Sequence, residues 1–290
     1  MRSMIQFGFL ILAVVILAST VEAADVGQGK SYHGPTGLQL YSLRNVFAKR
    51  GVPATLDQVK KWGFKYVEVA GLYDLTPEQF KKELDQRGLI PIGRHFPYDQ
   101  LRDDIDGVIR TAKALGLSYV GCPWIPHKGA FDEAECRAAA TVFNRAGKAL
   151  AKHGMKFYYH NHGYEFVPYK NGTLFDLLVA ETDPRYVYFQ MDVLWTIFPG
   201  QDPVKLLEKY PQRWLLMHLK DLRKGVPTGS LSGHTDLTND VVLGTGQVDW
   251  PALFRASQKI GIKYYFIEDE SPSPLKQIPQ SLRFLEQLRF

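Results

Sequence analysis

Short β-rich runs alternate with helical patterns along almost the whole chain, and this alternation restricts the fold more than any other feature of the sequence. Eight strand–helix pairs follow one another, each roughly 30 residues long, which is the size of one β–α–β unit. The predicted strands are apolar almost throughout, as in parallel sheets buried on both faces. They span residues 37–43, 66–70, 89–96, 119–124, 156–162, 187–192, 215–220 and 264–270. The pattern predicts a closed α/β barrel of the (β/α)8 or TIM type.

An open, doubly wound parallel sheet is the alternative architecture. The nucleotide-binding signatures typical of open sheets are missing, because no G-x-G-x-x-G follows the first strand and no G-x-x-x-x-G-K-[ST] occurs. A length of 290 residues also suits one barrel, which typically needs about 250. We expect helices over residues 55–62, 76–88, 101–115, 132–154, 173–181, 203–210, 250–260 and 279–288. Residues 37–290 thus form one predicted domain after a leader of residues 24–36.

The first 23 residues have the composition of a secretory signal peptide. An apolar run from Phe7 to Ala18 follows Arg2, and Val21 and Ala23 supply the small residues that signal peptidase reads. An uncleaved membrane anchor is the alternative, but the run is shorter than the roughly 20 residues that a spanning helix needs. We therefore expect an exported protein, periplasmic or extracellular, without a membrane contact after cleavage.

Composition and charge exclude several classes of protein. With 45% hydrophobic and 13% aromatic residues, the chain can bury a large core and is not intrinsically disordered. Lys+Arg 35 against Asp+Glu 30 gives a net charge of +5 without long runs of one sign, so no basic tail for nucleic acid is visible. The two cysteines, Cys122 and Cys136, fit one disulfide or two buried thiols equally well.

Polar side chains gather where the predicted strands end, and in such a barrel these ends meet at one mouth. They are Glu68, His95, His160, His162, Glu165, Asp192, His218, Lys220, Glu268 and Glu270. Within this set, Glu165, Asp192, His218 and Glu268 would repel one another unless a divalent cation neutralised them. Three carboxylates and one imidazole suit Mn²⁺, Mg²⁺ or Co²⁺ better than a thiolate-type zinc site, with Zn²⁺ as a further option. The alternatives are a solvated loop acid, a core histidine or a salt bridge to Lys220.

The other polar and aromatic residues at the strand ends are candidates for contact with substrate, and roles in the core or at the rim are the alternative. These candidates are Glu68, His95, His160, His162, Trp195, Lys220 and Glu270. Trp124 and Trp195 have the shape to stack on the face of a sugar. The long segment 223–246, which contains His234, fits a lid over the site or a subunit contact, and a homo-oligomer is compatible with the sequence.

Five segments resemble one family of barrels. Residues 66–68 (YVE), 160–166 (HNHGYEF), 192–195 (DVLW), 218–221 (HLKD) and 267–270 (IEDE) look like the sugar phosphate isomerase/epimerase family of xylose isomerase-like TIM barrels. The resemblance covers residues 37–290. It implies one divalent ion, often Mn²⁺, held by Glu165, Asp192, His218 and Glu268. In the epimerase branch the fifth-strand ligand lies within the strand, so His160 or His162 is an alternative ligand to Glu165.

The same resemblance implies a reaction in which a proton is removed next to a carbonyl, through an enediolate. Glu165 and Glu268 would flank the substrate, one removing the proton and the other returning it. We expect a sugar isomerase or epimerase acting on a non-phosphorylated sugar or keto sugar. A lyase or dehydratase that acts by β-elimination on 3-keto glycosides or inosose-like substrates is the second hypothesis, and a non-catalytic carbohydrate-binding barrel is the third. The same family contains endonuclease-IV-like proteins, whose enzymes hold a cluster of three zinc ions with more histidine and aspartate ligands. The sequence offers no second set of such ligands, so we do not expect DNA repair.

Overall fold

The computed structural model describes residues 26–290, and the predicted signal peptide lies outside them. Eight parallel strands close into a barrel, and each strand pairs with its neighbours in chain order, with the last strand pairing with the first. The strands are β1 (Thr36–Gln39), β2 (Tyr66–Val69), β3 (Ile90–His95), β4 (Tyr119–Cys122), β5 (Lys156–His160), β6 (Val187–Asp192), β7 (Trp214–Leu219) and β8 (Tyr264–Ile267). The prediction of a closed barrel is confirmed, and the open sheet is wrong.

Ten helices surround the barrel in the described part of the chain. They are α1 (Arg44–Lys61), α2 (Pro77–Asp85), α3 (Tyr98–Asp103), α4 (Ile105–Leu115), α5 (Glu133–Ala151), α6 (Leu174–Glu181), α7 (Val193–Ile197), α8 (Pro203–Lys209), α9 (Trp250–Ile260) and α10 (Pro274–Gln287). Helix α1 begins earlier than predicted because two helical segments join across a kink at Gly51, where φ is 75°. Helix α7, directly after β6, was not predicted.

Local sequence signals fix where several helices begin. Thr76, Asp132 and Thr173 each accept a hydrogen bond from the backbone three residues later, and the side chain at that position bonds back to the cap residue. These capping boxes satisfy backbone groups that a helix terminus otherwise leaves unpaired. They explain why the predicted starts of α2, α5 and α6 agree with the structure within one residue.

The barrel interior is filled by large side chains, and small residues on neighbouring strands make room for them. Tyr158 and Phe266 are fully buried within an inner cluster that includes Leu216. A Cβ atom added at Gly121 would lie 2.4 Å from the Tyr158 ring and 2.8 Å from His95. A glycine on β4 therefore allows these two rings to approach the strand, which brings Tyr158 beneath the mouth of the barrel.

The part of the predicted leader that the structure describes packs against the barrel. Tyr32 is fully buried, and its ring lies 4.5 Å from that of Phe254 and 5.4 Å from that of Tyr265. The Tyr32 hydroxyl lies 3.1 Å from Thr36 Oγ1, at the start of β1. Since β1 begins at Thr36, this segment lies at the amino ends of the strands, opposite the mouth.

Cys122 and Cys136 are both buried and free. Burial raises the pKa of each thiol to about 12. Of the two possibilities that the sequence left open, the structure has the buried thiols. None of the helices within residues 26–290 has the length and apolar character needed to cross a membrane.

Candidate active site

A cavity of about 780 Å³ opens at the carboxyl ends of the strands. Most of the side chains predicted from the sequence line it, namely His95, Trp124, His160, His162, Trp195, Lys220, Glu268 and Glu270. The other predicted residues do not line it and are fully buried, namely Glu68, Glu165, Asp192 and His218. The cavity is large enough for a sugar ring with a substituent and is lined by both aromatic and charged groups, as expected of a small-molecule site.

Four side chains from four consecutive strands converge at the floor of the cavity. His160, Asp192, His218 and Glu268 each offer one nitrogen or oxygen atom, and these atoms lie within 4.8 Å of one another. His218 Nδ1 lies 3.1 Å from Glu268 Oε2 and 3.9 Å from Asp192 Oδ2, and His160 Nε2 lies 3.8 Å from Asp192 Oδ2. We call these four residues the ligand group. His95, His160 and His218 form a second, overlapping combination with the same spacing.

The chemistry of the ligand group fits a divalent metal ion. Asp192 Oδ2 faces the other three residues, is buried and has no hydrogen-bond partner. Buried polar atoms are seldom left unpaired, and an unpaired buried carboxylate oxygen is costly. Two imidazoles and two carboxylates are a ligand set that Zn²⁺, Co²⁺ and Mn²⁺ accept, whereas Mg²⁺ prefers oxygen ligands alone. The set differs from the predicted one, which had a single imidazole.

A lysine and a further carboxylate adjoin the ligand group. Lys220 Nζ lies 3.2 Å from Glu268 Oε2, 3.9 Å from Asp192 Oδ2 and 2.5 Å from Glu270 Oε2. The Lys220 side chain is almost fully buried, yet these three carboxylates more than offset the effect of burial and raise the pKa of its ammonium group well above its usual value. Lys220 therefore stays protonated at neutral pH and supplies a fixed positive charge to the cavity.

The titration of the ligand group is set by burial and by mutual charge. Burial raises the pKa of Asp192 to about 7, although Lys220 and His218 partly oppose it. Burial alone would lower the pKa of His218, but the Glu68 and Glu268 carboxylates raise it to about 10. Burial alone would raise the pKa of Glu268, but Lys220 and His218 hold it well below its usual value. Without a cation the group thus retains protons that a metal ion would displace.

Beneath the ligand group lies a buried network centred on Glu68. The Glu68 carboxylate accepts hydrogen bonds from Gln39 Nε2 at 2.5 Å, from Gln190 Nε2 at 2.8 Å and from the Tyr158 hydroxyl, and it lies 2.5 Å from His218 Nε2. We call Glu68 and these four partners the Glu68 network. Burial alone would raise the pKa of Glu68, but the neighbouring His95 and His218 lower it to about 2. Glu68 was predicted to contact substrate, but it lies below the cavity floor.

The fold agrees with a known family. A model of the xylose isomerase-like TIM barrel matches residues 56–288. The chain belongs to this family. The resemblance seen in the sequence is thereby confirmed.

The proteins that this chain is similar to carry different names. The chain is 26% identical to an inosose dehydratase of Clostridium botulinum over 228 residues, which cover 67% of this chain and 73% of that protein. A solved sugar phosphate isomerase/epimerase from Parabacteroides distasonis has a TM-score of 0.71 and 26% identity, covering 89% of this chain and 96% of the other. The IOLI protein, solved with a zinc atom, has a TM-score of 0.67 at 14% identity, covering 87% and 95%. At that identity the last comparison shows the shared fold alone.

In this xylose isomerase-like barrel, the structure does not bring Glu165 into the ligand group. Glu165 follows β5 in a 3-10 turn, and its carboxylate accepts hydrogen bonds from the Tyr159 hydroxyl, from the His162 backbone N–H at 3.0 Å and from the Gly163 backbone N–H at 2.7 Å. These bonds turn the side chain away from the cavity and into the loop. His160, the last residue of β5, takes the position that the sequence assigned to Glu165.

Aromatic rings form one wall of the cavity, and the long loop closes part of it. The Trp195 ring stacks near His162 at 5.8 Å, and the Trp124 ring lies 5.2 Å from His162 and 5.5 Å from His234. Gly233, His234, Thr235 and Leu237 of the 223–246 segment line the cavity. The loop thus forms part of the cavity wall, and its role as a lid or a subunit contact stays a prediction.

Sequence reasoning missed three members of the Glu68 network, namely Gln39, Tyr158 and Gln190. A signal was present for Gln190, because it lies between Phe189 and Met191 in an apolar strand and shares the face of Asp192 by the alternation of side chains. A buried amide two residues before a predicted ligand indicates a supporting hydrogen bond. Tyr158 gave no comparable signal, since aromatic residues are common in strands.

Proposed function

We propose that this protein is a metal-dependent enzyme that removes a proton next to the carbonyl of a keto sugar or keto polyol and then eliminates the β-substituent, as a dehydratase or lyase does. The observation that carries the proposal is the ligand group, which opens into a cavity beside the Lys220 ammonium while Glu165 is turned away. This arrangement combines one site for a cation, one positive side chain and carboxylates that can accept a proton.

The ligand group would hold the ion through His160, Asp192, His218 and Glu268. A divalent ion bound there would act as a Lewis acid toward the carbonyl oxygen of the substrate. We propose Zn²⁺, Co²⁺ or Mn²⁺, on the basis of two imidazole and two carboxylate ligands.

The side chains around this position have complementary roles. Glu268, unprotonated at neutral pH, accepts the proton from the carbon next to the carbonyl. The Lys220 ammonium, 3.2 Å from Glu268, stabilises the negative charge that develops on the substrate oxygen. The electron pair of the broken C–H bond then forms a carbon–carbon double bond as the β C–O bond breaks. The leaving oxygen takes up the proton that Glu268 had accepted, so that water or an alcohol is released and Glu268 returns to its unprotonated form.

Two observations favour elimination over epimerisation. Epimerisation returns a proton to the opposite face of the sugar and so requires a second acid across the site, and Glu165, predicted for that task, is engaged with its own loop. The relative from C. botulinum is named an inosose dehydratase, a name that denotes loss of water. Elimination needs only one base and a protonated leaving group.

Isomerisation or epimerisation is the second candidate, and Glu270 is the observation that favours it. Its carboxylate also lines the cavity and contacts Lys220 at 2.5 Å, which provides a second acid or base near the substrate. The P. distasonis protein of similar structure is named a sugar phosphate isomerase/epimerase.

The substrate that we propose is a non-phosphorylated keto sugar, keto polyol or glycoside. This part rests on the signal peptide predicted at residues 1–23, because phosphorylated sugars are mainly cytoplasmic and an exported enzyme meets free sugars. Export to the periplasm or the medium is likewise a proposal from those residues alone.

Product analysis in D₂O separates the candidates. Mature protein loaded with Mn²⁺, Co²⁺ or Zn²⁺ is incubated with ketoses, inososes and 3-keto glycosides, and products are followed by NMR and mass spectrometry. Loss of water or of an aglycone is the expected result. Deuterium in a sugar of unchanged composition would establish an isomerase or epimerase instead. Metal binding without turnover or exchange on the whole panel would favour a carbohydrate-binding protein.

Two matched variants test the role of Glu268. Both Glu268 and Glu270 contact Lys220, but Glu268 alone belongs to the ligand group. We expect Glu268→Gln to lower kcat by about 10²–10⁴-fold and to weaken metal binding. Glu270→Gln, the control, should retain metal binding and lose less than about tenfold in kcat if elimination needs one base. Turnover retained by Glu268→Gln would contradict the assignment.

A further inference from the structure

The Glu68 carboxylate accepts hydrogen bonds from several side chains, although it does not reach the cavity. It is fully buried in β2, and both of its oxygen atoms are used. Oε1 accepts from the Tyr158 hydroxyl and from Gln190 Nε2, whereas Oε2 lies 2.5 Å from both Gln39 Nε2 and His218 Nε2. A carboxylate in such a position cannot exchange protons with a substrate.

The partners of Glu68 fix the direction of each of these hydrogen bonds. The Gln39 side-chain oxygen accepts from the Tyr41 backbone N–H at 3.0 Å, so its NH₂ group points toward Glu68. The Gln190 side-chain oxygen contacts His95 Nε2 at 2.9 Å, which likewise directs its NH₂ group toward Glu68. Because Glu68 is surrounded by donors, it is an ionised carboxylate that can only accept.

An acceptor at 2.5 Å requires that His218 Nε2 carries a proton. In a neutral imidazole the other nitrogen, Nδ1, then has the free lone pair. Nδ1 is the atom that faces Glu268 Oε2 at 3.1 Å and Asp192 Oδ2 at 3.9 Å. Glu68 thus determines that Nδ1 is the His218 nitrogen available to a metal ion.

We propose that Glu68 is a positioning residue that holds the His218 ring with Nε2 protonated and Nδ1 presented to the metal ion. The proposal rests on the metal site of the proposed function. Carboxylates that accept from the far nitrogen of a ligating histidine orient the ring and raise its basicity, and their loss typically weakens metal binding about 10–100-fold. Through Gln190, the same carboxylate also fixes the orientation of His95.

His160 provides the contrast within the same ligand group. Its Nδ1 is buried and has no hydrogen-bond partner, so nothing in the described chain fixes its tautomer in this way. The Glu68 network therefore supports one ligand specifically and is not a general feature of the buried histidines.

Metal affinity of two variants tests the proposal. Glu68→Gln replaces one acceptor oxygen by an NH₂ group and removes the charge, whereas Tyr158→Phe removes another hydrogen bond to Glu68 and leaves His218 untouched. Co²⁺ and Zn²⁺ affinities are measured by chelator competition, with the Co²⁺ absorption spectrum as a reporter of ligand geometry. We expect Glu68→Gln to bind about 10–100-fold more weakly with an altered spectrum. Tyr158→Phe should stay within about threefold of the wild type.

Glu68→Gln affinity within threefold of the wild type, with the same Co²⁺ spectrum, would overturn the positioning role while leaving the metal site intact. A wild-type protein that binds no divalent metal would overturn both the role and the proposed function. Turnover by elimination is measured separately, so its absence does not bear on this result.

A second measurement needs no variant, which matters because Glu68→Gln risks misfolding. In wild-type protein labelled with ¹⁵N-histidine and saturated with Zn²⁺, NMR distinguishes the protonated from the metal-bound nitrogen of each ring. We expect His218 to show a proton on Nε2 in a short hydrogen bond and zinc on Nδ1. Zinc on Nε2, or a proton on Nδ1, would overturn the proposal.

Discussion

The Glu68 network and the ligand group differ in how far the chain completes the hydrogen bonds of their buried polar atoms. In the Glu68 network every donor faces an acceptor, and Glu68, Gln39 and Gln190 are all buried with their side-chain hydrogen bonds satisfied. In the adjoining ligand group, Asp192 Oδ2 and His160 Nδ1 are equally buried and have no hydrogen-bond partner. Burial alone therefore does not separate a functional polar group from a structural one.

What separates the two regions is whether the folded chain completes their hydrogen bonds. A satisfied network stabilises the fold and fixes side-chain orientation, whereas buried atoms without partners cost stability unless a ligand supplies the missing interaction. The ligand group is therefore expected to bind a ligand, whereas the Glu68 network is not. Variants in the ligand group should change ligand binding and chemistry, and variants in the Glu68 network should change stability or geometry.

Asp192→Asn should give the largest effect. The substitution keeps an oxygen that can accept from the Trp195 backbone N–H, as Asp192 Oδ1 does at 2.9 Å, but it removes the charge and the unpaired Oδ2 atom. We expect metal binding to be lost and turnover to fall by about 10²–10⁴-fold. The metal-free variant should melt no lower than the metal-free wild type, since a costly buried charge is gone.

Calorimetric melts with and without Zn²⁺, together with product assays, measure both parts of this prediction. If the metal-free variant melts well below the metal-free wild type, Asp192 stabilises the fold and is not a costly buried group. Retained metal binding would remove Asp192 from the ligand group.

The pH dependence of stability should differ between the same two proteins. Burial raises the pKa of Asp192 to about 7 from its ordinary value of 3.8, so in this range the metal-free folded protein holds a proton that the unfolded chain has lost. Stability then falls as pH rises between about 4 and 7. We expect the free energy of unfolding of the wild type to decline relative to that of Asp192→Asn across this range. Parallel curves in urea titrations would contradict the raised pKa.

A variant of the Glu68 network should lower stability and leave binding nearly unchanged. Tyr158→Phe removes one hydrogen bond to a buried carboxylate that keeps three other donors nearby. We expect the free energy of unfolding to fall by about 1–2 kcal/mol, with KM and metal affinity nearly unchanged. Denaturant melts and steady-state kinetics test the two halves. A large rise in KM at unchanged stability would instead show that the Glu68 network contacts substrate.

The sequence predicted the barrel well because its signals are local and repeated. The boundaries of Val187–Asp192 and Trp250–Ile260 were predicted to the residue, since apolar runs and caps mark them. The convergence of Asp192, His218 and Glu268 also followed, because strand ends of a closed barrel meet at one mouth.

Glu165 shows where the sequence was insufficient. It lies only five residues after His160, and which of the two faces the cavity depends on the turn that starts at Gly163, where φ is 98°. That turn directs backbone N–H groups at the carboxylate, and no residue type encodes this direction by itself. The Glu68 network was missed for a related reason, since its members come from β1, β2, β5, β6 and β7 and meet only after the barrel closes.

A substitution in the aromatic wall of the cavity should have the smallest effect. Trp195 lies above Lys220, whose Nζ is 5.6 Å from the ring centroid, and stacks near His162. Trp195→Phe keeps an aromatic face but shortens it, so we expect KM to rise about three- to tenfold, equivalent to about 1 kcal/mol, with kcat within about twofold. Trp214→Phe is the control, because Trp214 is as deeply buried but packs against Phe175 outside the cavity. It should lower stability and leave KM unchanged, whereas an equal change of KM in both variants would mean that the wall acts through the fold and not through contact with the substrate.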